Sequence, residues 1–150
     1  MEKQMKRVYI VAASILFLTL FAGAEEKAAL KEKPLTAMQK QNRTIVKMAS
    51  EALSKSLPQK IDAYTTLMKI EARDETLVYL FEVNTGAKSD EAVKKEDRIR
   101  MQKAVTRGIC NSSQRFLKVD INISYIYLSA RTQNELFHFN VDRTDCFDGK

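Results

Sequence analysis

The sequence predicts an α+β domain in which two helices pack on one face of a four-stranded antiparallel sheet, in the order α-β-β-α-β-β, closed by one disulfide bond. Three observations predict this fold class. Segments with apolar residues at helical spacing alternate with segments rich in β-branched and aromatic residues. The two strand-rich segments resemble each other in sequence. Two cysteines, Cys110 and Cys146, stand on either side of the second strand-rich segment.

The N-terminal residues have the features of a secretory signal peptide. Basic side chains precede an uncharged run over residues 8–21, and small residues follow that run up to Ala24. We therefore predict a signal peptide over residues 1–24, cleaved after Ala24, and a protein located in the periplasm or secreted. An uncleaved anchor is the alternative, but the run is shorter than the roughly 20 apolar residues that span a bilayer comfortably. No stable membrane insertion is expected after cleavage.

The remaining chain is long enough for one domain with an apolar core. Removal of residues 1–24 takes away three basic residues and one acidic residue, which leaves 22 basic and 18 acidic residues and a net charge of +4. Residues 25–34 are charged, lack aromatic side chains and end in proline, which indicates a tether before a single domain over residues 35–150. The positive charge favours an anionic partner. Export argues against nucleic acid as that partner.

Apolar residues at helical spacing indicate two helices. The first begins after Thr36 and ends before Pro58. The second has Ser89 as its N-cap, acidic residues in its first turn and basic residues toward its end, and it stops near Cys110. The basic stripe on the second helix is either a solvated face or a contact surface, and it consists of Arg100, Lys103 and Arg107.

A strand pair follows each helix. Residues 61–72 and 76–85 form the first pair around a short turn, and residues 119–130 and 134–141 form the second. A shift of 58 positions aligns the two pairs without gaps, with six identities over 25 positions and with turn on turn. We therefore interpret the chain as a tandem helix-hairpin repeat, too short to be a solenoid.

Both faces of the predicted sheet carry apolar side chains. Leu77, Tyr79 and Phe81 point one way and Val78 and Leu80 the other, and the second hairpin has the same pattern. Half-buried antiparallel sheets usually have a polar outer face, so an apolar outer face predicts contact with another protein or with a second copy in a homodimer. Tyrosine combines a large contact area with a polar tip. The candidate contact residues, for which packing in the core is the alternative, are Tyr64, Tyr79, Tyr125 and Tyr127.

The two cysteines predict a structural disulfide bond, because export places them in an oxidising compartment. A bond between Cys110 and Cys146 would join the C-terminus to the second helix and close the fold. On the chain-entropy account, closing a loop of this size is worth about 4 kcal/mol of stability. A redox role is disfavoured because active dithiols are commonly spaced as Cys-x-x-Cys.

The segment over residues 134–146 holds the only histidine among several acidic residues. His138 aligns with Leu80 of the first hairpin, which favours a packed or half-exposed side chain over a catalytic one, and the sequence identifies no serine or thiol beside it. One histidine, two paired cysteines and four glycines do not supply a zinc site, a calcium loop or a phosphate loop. We predict no enzymatic activity, no metal and no cofactor.

Asn122 lies in the sequence Asp120-Ile121-Asn122-Ile123-Ser124. This pattern resembles the acceptor site of some bacterial glycosylation systems. Its place inside a predicted strand disfavours modification, because acceptor sites belong on exposed loops.

A signal peptide followed by a small helix-strand domain with one disulfide is similar to the pattern of many small exported bacterial proteins. Some of these are immunity or inhibitor proteins and others are accessory parts of envelope machines; the likeness transfers no functional residue. The leading hypothesis is a non-enzymatic periplasmic protein that binds another envelope or secreted protein through its sheet and helix surfaces. The alternatives are a carrier with a pocket for a small ligand or an envelope polymer, and a hydrolase that uses paired carboxylates.

Overall fold

Helix α1 (Ala37–Leu53) is the first element in the part of the chain that the computed structural model describes, residues 33–147. The predicted signal peptide and most of the predicted tether lie outside these residues. Thr36 begins the helix as a capping box: its side chain accepts from the backbone N–H of Gln39, and the Gln39 side chain accepts from the Thr36 N–H. The helix therefore begins where its N-cap sequence predicts.

Two side chains of α1 join it to the sheet. Buried Asn42 donates from Nδ2 to the carbonyl of Val119 at 2.7 Å. The guanidinium of Arg43 contacts the carboxylates of Asp74 and Glu75, each at 3.0 Å. Asp74 has a φ of +51° in the tight turn that the sequence predicts between the first two long strands. Both contacts are at the same end of the sheet, so they hold the N-terminal half of α1 there.

The elements after α1 alternate strands with helices. Ser89 caps the longest helix by accepting from the Ala92 N–H. No helix within residues 33–147 is both long and apolar enough to cross a membrane. In chain order the elements are a 3₁₀ turn (Ser54–Ser56), β1 (Gln59–Lys60), β2 (Thr65–Arg73), β3 (Thr76–Val83), α2 (Asp90–Ser112), α3 (Gln114–Leu117), β4 (Asn122–Ser129), β5 (Glu135–Val141) and α4 (Arg143–Phe147).

The sheet has five strands in the order β1-β2-β3-β4-β5, and it is mixed. Strands β3 and β4 pair in parallel from Thr76 with Asn122 to Val83 with Ser129, and the other neighbours are antiparallel. The predicted four-stranded antiparallel sheet is therefore wrong in strand number and in one pairing. The physical reason is α2, whose 23 residues span about 35 Å. It returns the chain to the end of the sheet where β3 begins, so β4 starts there and runs the same way.

The predicted tandem repeat is not matched in detail. The first hairpin has the extra strand β1, and its register shifts at Met68, in its first strand. The second hairpin has its shift at Leu136, in its second strand, and is followed by α4. Because of that second irregularity, Leu136 and its neighbour Phe137 are both buried. The order helix-hairpin-helix-hairpin is present, but the two halves are not copies of one unit.

The core lies between the helices and one face of the sheet. Val46 of α1 and Val105 and Ile109 of α2 belong to one buried cluster with Leu77 and Phe139 of the sheet. The α+β class and the packing of α1 and α2 on one face agree with the sequence prediction. Two helices, α3 and α4, were not predicted, because segments of four and five residues carry too little periodicity to be recognised.

The disulfide bond between Cys110 and Cys146 is confirmed, with the two Cα atoms 5.4 Å apart. It connects α2 to α4, which follows the last strand. Asp142 begins α4: its carboxylate accepts from the Thr144 hydroxyl and from the backbone N–H groups of Thr144 and Asp145. The disulfide and this polar turn hold the end of the chain against the domain, as predicted for a bond that closes the fold.

Candidate functional site

A groove runs between α2 and the helix-covered face of the sheet. It consists of two adjoining cavities of about 490 and 410 Å³, which share Thr65 and Met101 in their linings. The sheet forms the floor of the larger cavity with four aromatic side chains from the paired strands β3 and β4. We call this surface the α2 groove and these side chains the aromatic floor: Tyr79, Phe81, Tyr125 and Tyr127.

The aromatic floor is a packed unit. Ring centroids lie 5.0 Å apart for Tyr79 and Tyr125, 4.9 Å for Phe81 and Tyr125, and 4.8 Å for the stacked pair of Phe81 and Tyr127. The parallel register places Tyr79 beside Tyr125 and Phe81 beside Tyr127, so the rings meet across the two strands. Such pairs are each worth about 0.5–1.5 kcal/mol beyond the area they bury. The floor is therefore preorganised before anything binds to it.

Helix α2 supplies the wall of the groove with small side chains. Ala104 and Gly108 line the larger cavity and are exposed, although both lie beside core residues of the same helix. A Cβ atom placed on Gly108 would meet nothing within 4 Å. The spacing of Ala104, Gly108 and Ser112 puts them on one face of the helix, one turn apart. These small residues leave open the space above the aromatic floor.

The opposite edge of the groove is the segment between β1 and β2. The Asp62 carboxylate accepts from the backbone N–H groups of Tyr64 and Thr65, each at 2.8 Å, and these bonds hold the segment as a tight turn. The bond to Tyr64 is the largest cause that lowers the pKa of Asp62 below its usual value. Ile61 and Tyr64 stand exposed beside this turn, at 51% and 68% of their surface. The exposed side chains of Ile61 and Tyr64 thus form the edge of the groove that faces α2.

The hydroxyl groups of the floor tyrosines have no hydrogen-bond partner among residues 33–147. Burial, followed by the neighbouring Tyr125, raises the pKa of Tyr79 to about 12. Burial is also the first cause that raises the pKa of Tyr125 and Tyr127. None of the three oxygens is among the buried unpaired polar atoms of residues 33–147, so these hydroxyls open onto the groove. There they are available to donate to or accept from a bound molecule.

These raised pKa values predict a loss of stability in alkali. A tyrosine whose folded pKa lies above its unfolded value of 10 favours the neutral, folded form, so its contribution is complete below pH 10 and is lost as pH rises through 12. We expect the free energy of unfolding to fall over this range, and ultraviolet titration to show late ionisation. Tyr79→Phe should reduce the fall. An equal fall in that variant would contradict the assignment to Tyr79.

The structure brings together three of the four predicted contact tyrosines. Tyr79, Tyr125 and Tyr127 lie on the floor of the α2 groove, and Tyr64 lies at its edge in the smaller cavity. They do not lie on the open outer face of the sheet, where the sequence predicted the contact. The apolar spacing of α2 puts the small wall residues Ala104 and Gly108 on its inner face, beside Val105. Their small size was the signal of an open groove, but only the position of α2 over the sheet reveals it.

The predicted basic stripe is divided by the structure. Arg100 lines the smaller cavity and forms an ion pair with Asp97 of the same helix. Lys103 and Arg107 are exposed, and neither forms an ion pair with a described residue. Neither Lys103 nor Arg107 lines either of the two cavities, although Arg107 directly precedes the wall residue Gly108. Thus one of the three basic residues, Arg100, lines the groove.

His138 lies on the other face of the sheet, with Ser124 and Glu135. The Ser124 hydroxyl is 2.9 Å from His138 Nε2, and Glu135 Oε2 is 4.0 Å from His138 Nδ1. This Ser-His-Glu arrangement resembles a catalytic triad. However, Ser124 is only 2% exposed and lies in a strand paired on both sides. The backbone of Ser124 pairs with both neighbouring strands, so its N–H is not available to an oxyanion. The arrangement is that of a polar cross-strand contact.

The outer face of the sheet carries a short row of two apolar side chains and one histidine across its centre. Leu80, Ile126 and His138 stand side by side on β3, β4 and β5, and Val78 lies one step along. Val78 and Ile126 are buried by their neighbours, with 3% and 7% of their surface exposed. Glu71 flanks this row within an ion-pair network. Contact through this face with a partner or a second copy stays a prediction.

Asn122 is half-buried at the start of β4, where its backbone N–H donates to the Glu75 carbonyl at 3.0 Å. Its glycosylation remains a disfavoured prediction.

In residues 33–147 no group of three or more histidine, cysteine, aspartate or glutamate side chains could hold a metal ion.

A protein-family model with the description "Domain of unknown function (DUF8479)" matches residues 40–137. This segment covers α1 from its fourth residue, the sheet down to the middle of β5, and the whole α2 groove. No curated protein matches the chain. The family assignment therefore adds a name for the domain and no activity.

Solved structures share the fold at low sequence identity. A Pseudomonas aeruginosa protein described as secreted has 10% identity and a TM-score of 0.67, covering 75% of this chain and 99% of its own. The pilotin EpsS of the Vibrio vulnificus type 2 secretion system has 14% identity and a TM-score of 0.61, with coverages of 73% and 94%. The type II secretion system pilotin AspS of Vibrio cholerae has 20% identity and a TM-score of 0.55, with coverages of 73% and 95%. At these identities the likeness shows a common fold.

Proposed function

This chain belongs to the family described as "Domain of unknown function (DUF8479)", and from that premise we propose that it is an exported, non-enzymatic protein that binds another protein of the cell envelope. The observation that carries the proposal is the α2 groove. Its floor is a preformed aromatic surface, and its wall is built from residues too small to close it. Aromatic residues with polar tips are enriched in protein interfaces.

The fold supports a finer proposal about the partner. Two of the structures with this fold are pilotins of type 2 secretion systems, and a third is described as a secreted protein. The predicted signal peptide would export this chain. We infer that the protein is an accessory component of an envelope machine, with the groove as the site that holds its partner. An inhibitor or immunity role uses the same surface and would differ in the identity of the partner.

The chemistry of the described residues supports a non-enzymatic role. The Ser124 hydroxyl is covered, and the Glu135 carboxylate lies 4.0 Å from His138 Nδ1, beyond hydrogen-bond distance. Two of the carboxylates with lowered pKa values serve structural turns: Asp62 accepts from a turn, and Asp142 from the start of α4. Lowered values in such turns are the expected result of hydrogen bonding to the charged form. They do not provide the separated acid and base of a hydrolase.

Site-specific photocrosslinking tests the proposal in cells. A photoreactive amino acid at Ala104 places the probe on the groove wall, and the same residue at Lys95 places it on an exposed part of α2 away from the groove. We expect the Ala104 probe to form a discrete adduct with one envelope protein and the Lys95 probe to give none. Equal adducts from both positions, or no adduct from Ala104, would contradict binding in the groove.

A small-ligand carrier is the second candidate, because both cavities have volumes within the usual range for ligand sites, about 300–1,000 Å³. This second candidate function predicts that a bound small molecule, which stabilises the fold, can be recovered from the purified protein. A ligand that binds only the folded state raises the melting temperature in proportion to the logarithm of its concentration.

A further inference from the structure

We infer that the α2 groove binds an uncharged, apolar peptide segment in an extended conformation, whose main-chain carbonyls accept hydrogen bonds from the tyrosine hydroxyls of the aromatic floor. This inference rests on the proposed function and names the chemistry of the partner segment. Three observations carry it: the few charges of the lining already have partners, the floor tyrosines have unpaired hydroxyls, and the spacing of those tyrosines matches an extended chain.

The lining of the larger cavity is almost free of charge. Among the described residues that form it, only Asp62 has a charged side chain, and this carboxylate at the edge of the groove accepts from two backbone N–H groups of its own turn. The aromatic floor and the wall of small residues carry no charge. A charged group laid over them would lose water without gaining a partner, which is costly. The larger cavity therefore favours an uncharged, apolar segment.

The charged side chains of the smaller cavity have partners within the domain. Arg100 forms an ion pair with Asp97 at 2.5 Å, and both residues line this cavity. Lys88, the other cation of the lining, forms an ion pair with Glu96, also at 2.5 Å. Each charge in this lining therefore has its counter-charge among residues 33–147. Because a charged segment would have to break one of these pairs, the whole groove fits a neutral one.

Tyr127 directs a polar group into the groove. Only 6% of its surface is exposed, yet it lines the larger cavity, and its hydroxyl forms no hydrogen bond with residues 33–147. The hydroxyls of Tyr79 and Tyr125 on the same floor are unpaired in the same way. An occupant without acceptors would cover these groups and leave them without water or a partner, which weakens binding. The occupant therefore presents hydrogen-bond acceptors to the floor.

An extended peptide supplies such acceptors, whereas the backbone of a helix and a hydrocarbon chain do not. The carbonyls of an α-helix accept from N–H groups of the same helix, and a hydrocarbon chain has none. In an extended chain every second carbonyl points the same way, at intervals of about 6.4–6.8 Å. The rings of Tyr125 and Tyr127, two residues apart on β4, have centroids 6.4 Å apart. This spacing lets a segment that runs along β4 accept from both hydroxyls.

A peptide selection tests the inference without knowledge of the natural partner. Helix α2 lines the larger cavity from Met101 to Ser112, a length of about 17 Å that about five extended residues span. A displayed library of random peptides of about 12 residues is therefore long enough. It is selected against the mature, disulfide-bonded protein, with Gly108→Trp as the variant whose groove is filled. Tyr127→Phe then removes one floor hydroxyl and keeps the ring, and Tyr64→Phe is the matched control at the exposed edge.

The expected result is a set of peptides with an uncharged, apolar centre that Gly108→Trp no longer binds. Their affinity should fall about fivefold in Tyr127→Phe, the size of one ordinary hydrogen bond, and remain within about twofold in Tyr64→Phe. A glutamate or a lysine at the centre of the peptide should each weaken binding about tenfold or more. A cross-link that forces the peptide into a helix should abolish binding.

The outcomes separate the inference from the proposed function. Groove-dependent peptides with a charged centre, equal binding by the helical form, or equal binding to Tyr127→Phe would overturn the inference and leave the proposed function standing. Failure to select any peptide that depends on the groove would overturn both. Binding of phosphatidylglycerol vesicles that Gly108→Trp abolishes would overturn the inference in favour of a lipid.

Discussion

Gly108→Trp is expected to reduce partner capture by the α2 groove at least about tenfold while the domain stays folded. The residue is exposed, lies in the interior of α2 and lines the larger cavity. Because nothing lies within 4 Å of the position of its Cβ atom, the indole can enter the groove without a clash at its base. It would then cover the aromatic floor. The measurement is the yield of the adduct from the photoreactive residue at Ala104, with circular dichroism as the check on folding.

Gly108→Ala is the matched control for this substitution. Alanine adds a single methyl group in open space and removes the flexibility of glycine in a helix interior, so we expect it to raise the free energy of unfolding by about 1 kcal/mol. It should keep the yield of the adduct unchanged. A tryptophan variant that is folded and captures the partner as well as the alanine variant would show that the partner binds elsewhere.

Replacement of both cysteines by alanine is expected to lower the free energy of unfolding by about 4 kcal/mol. The bond between Cys110 and Cys146 closes a loop over a sequence separation of 36 residues, and the half-cystines also pack against the core. Without it, α4 loses its covalent connection to α2, and the unfolded chain gains the freedom that the loop removed. Urea unfolding at equilibrium measures the difference.

A reducing agent provides the control for the prediction about the disulfide bond. Unfolding of the wild-type protein in reducing buffer should approach that of the double alanine variant, and the same buffer should leave the variant unchanged. A variant as stable as the oxidised wild-type protein would show that the bond contributes nothing to the fold. Since α2 forms the wall of the groove, weaker capture at temperatures near unfolding is a further expected result.

Patterns local in the sequence predicted most of the elements. The capping residues Thr36 and Ser89 marked the starts of α1 and α2, because an N-cap acts on the backbone only three residues ahead. β-Branched and aromatic segments indicated the four long strands, although their ends differ by a few residues. The disulfide followed from the cysteine count and the predicted export, since two thiols in an oxidising compartment have only each other.

The pairing of the strands was decided by tertiary structure. Two similar hairpins predicted an antiparallel sheet, but the direction of β4 depends on where α2 delivers the chain, and no local pattern in β4 records it. The same applies to β1, which is two residues long and forms because its neighbour β2 has a free edge. The contact of Ser124 with His138 likewise arises from cross-strand register.

The amino-acid sequence determined the α+β class, the two long helices, the strand segments and the cysteine pair, because these depend on local propensity and on composition. It also identified Tyr79, Tyr125 and Tyr127 as contact candidates. Only the tertiary structure decided that they lie together on the floor of the α2 groove, on the helix-covered face and not on the outer one. The reason is that an open groove is a property of the space between elements. That space is set by the packing of α2 against β5 and β4, beside the aromatic side chains of β3 and β4, and by small side chains whose exposure the sequence alone does not reveal.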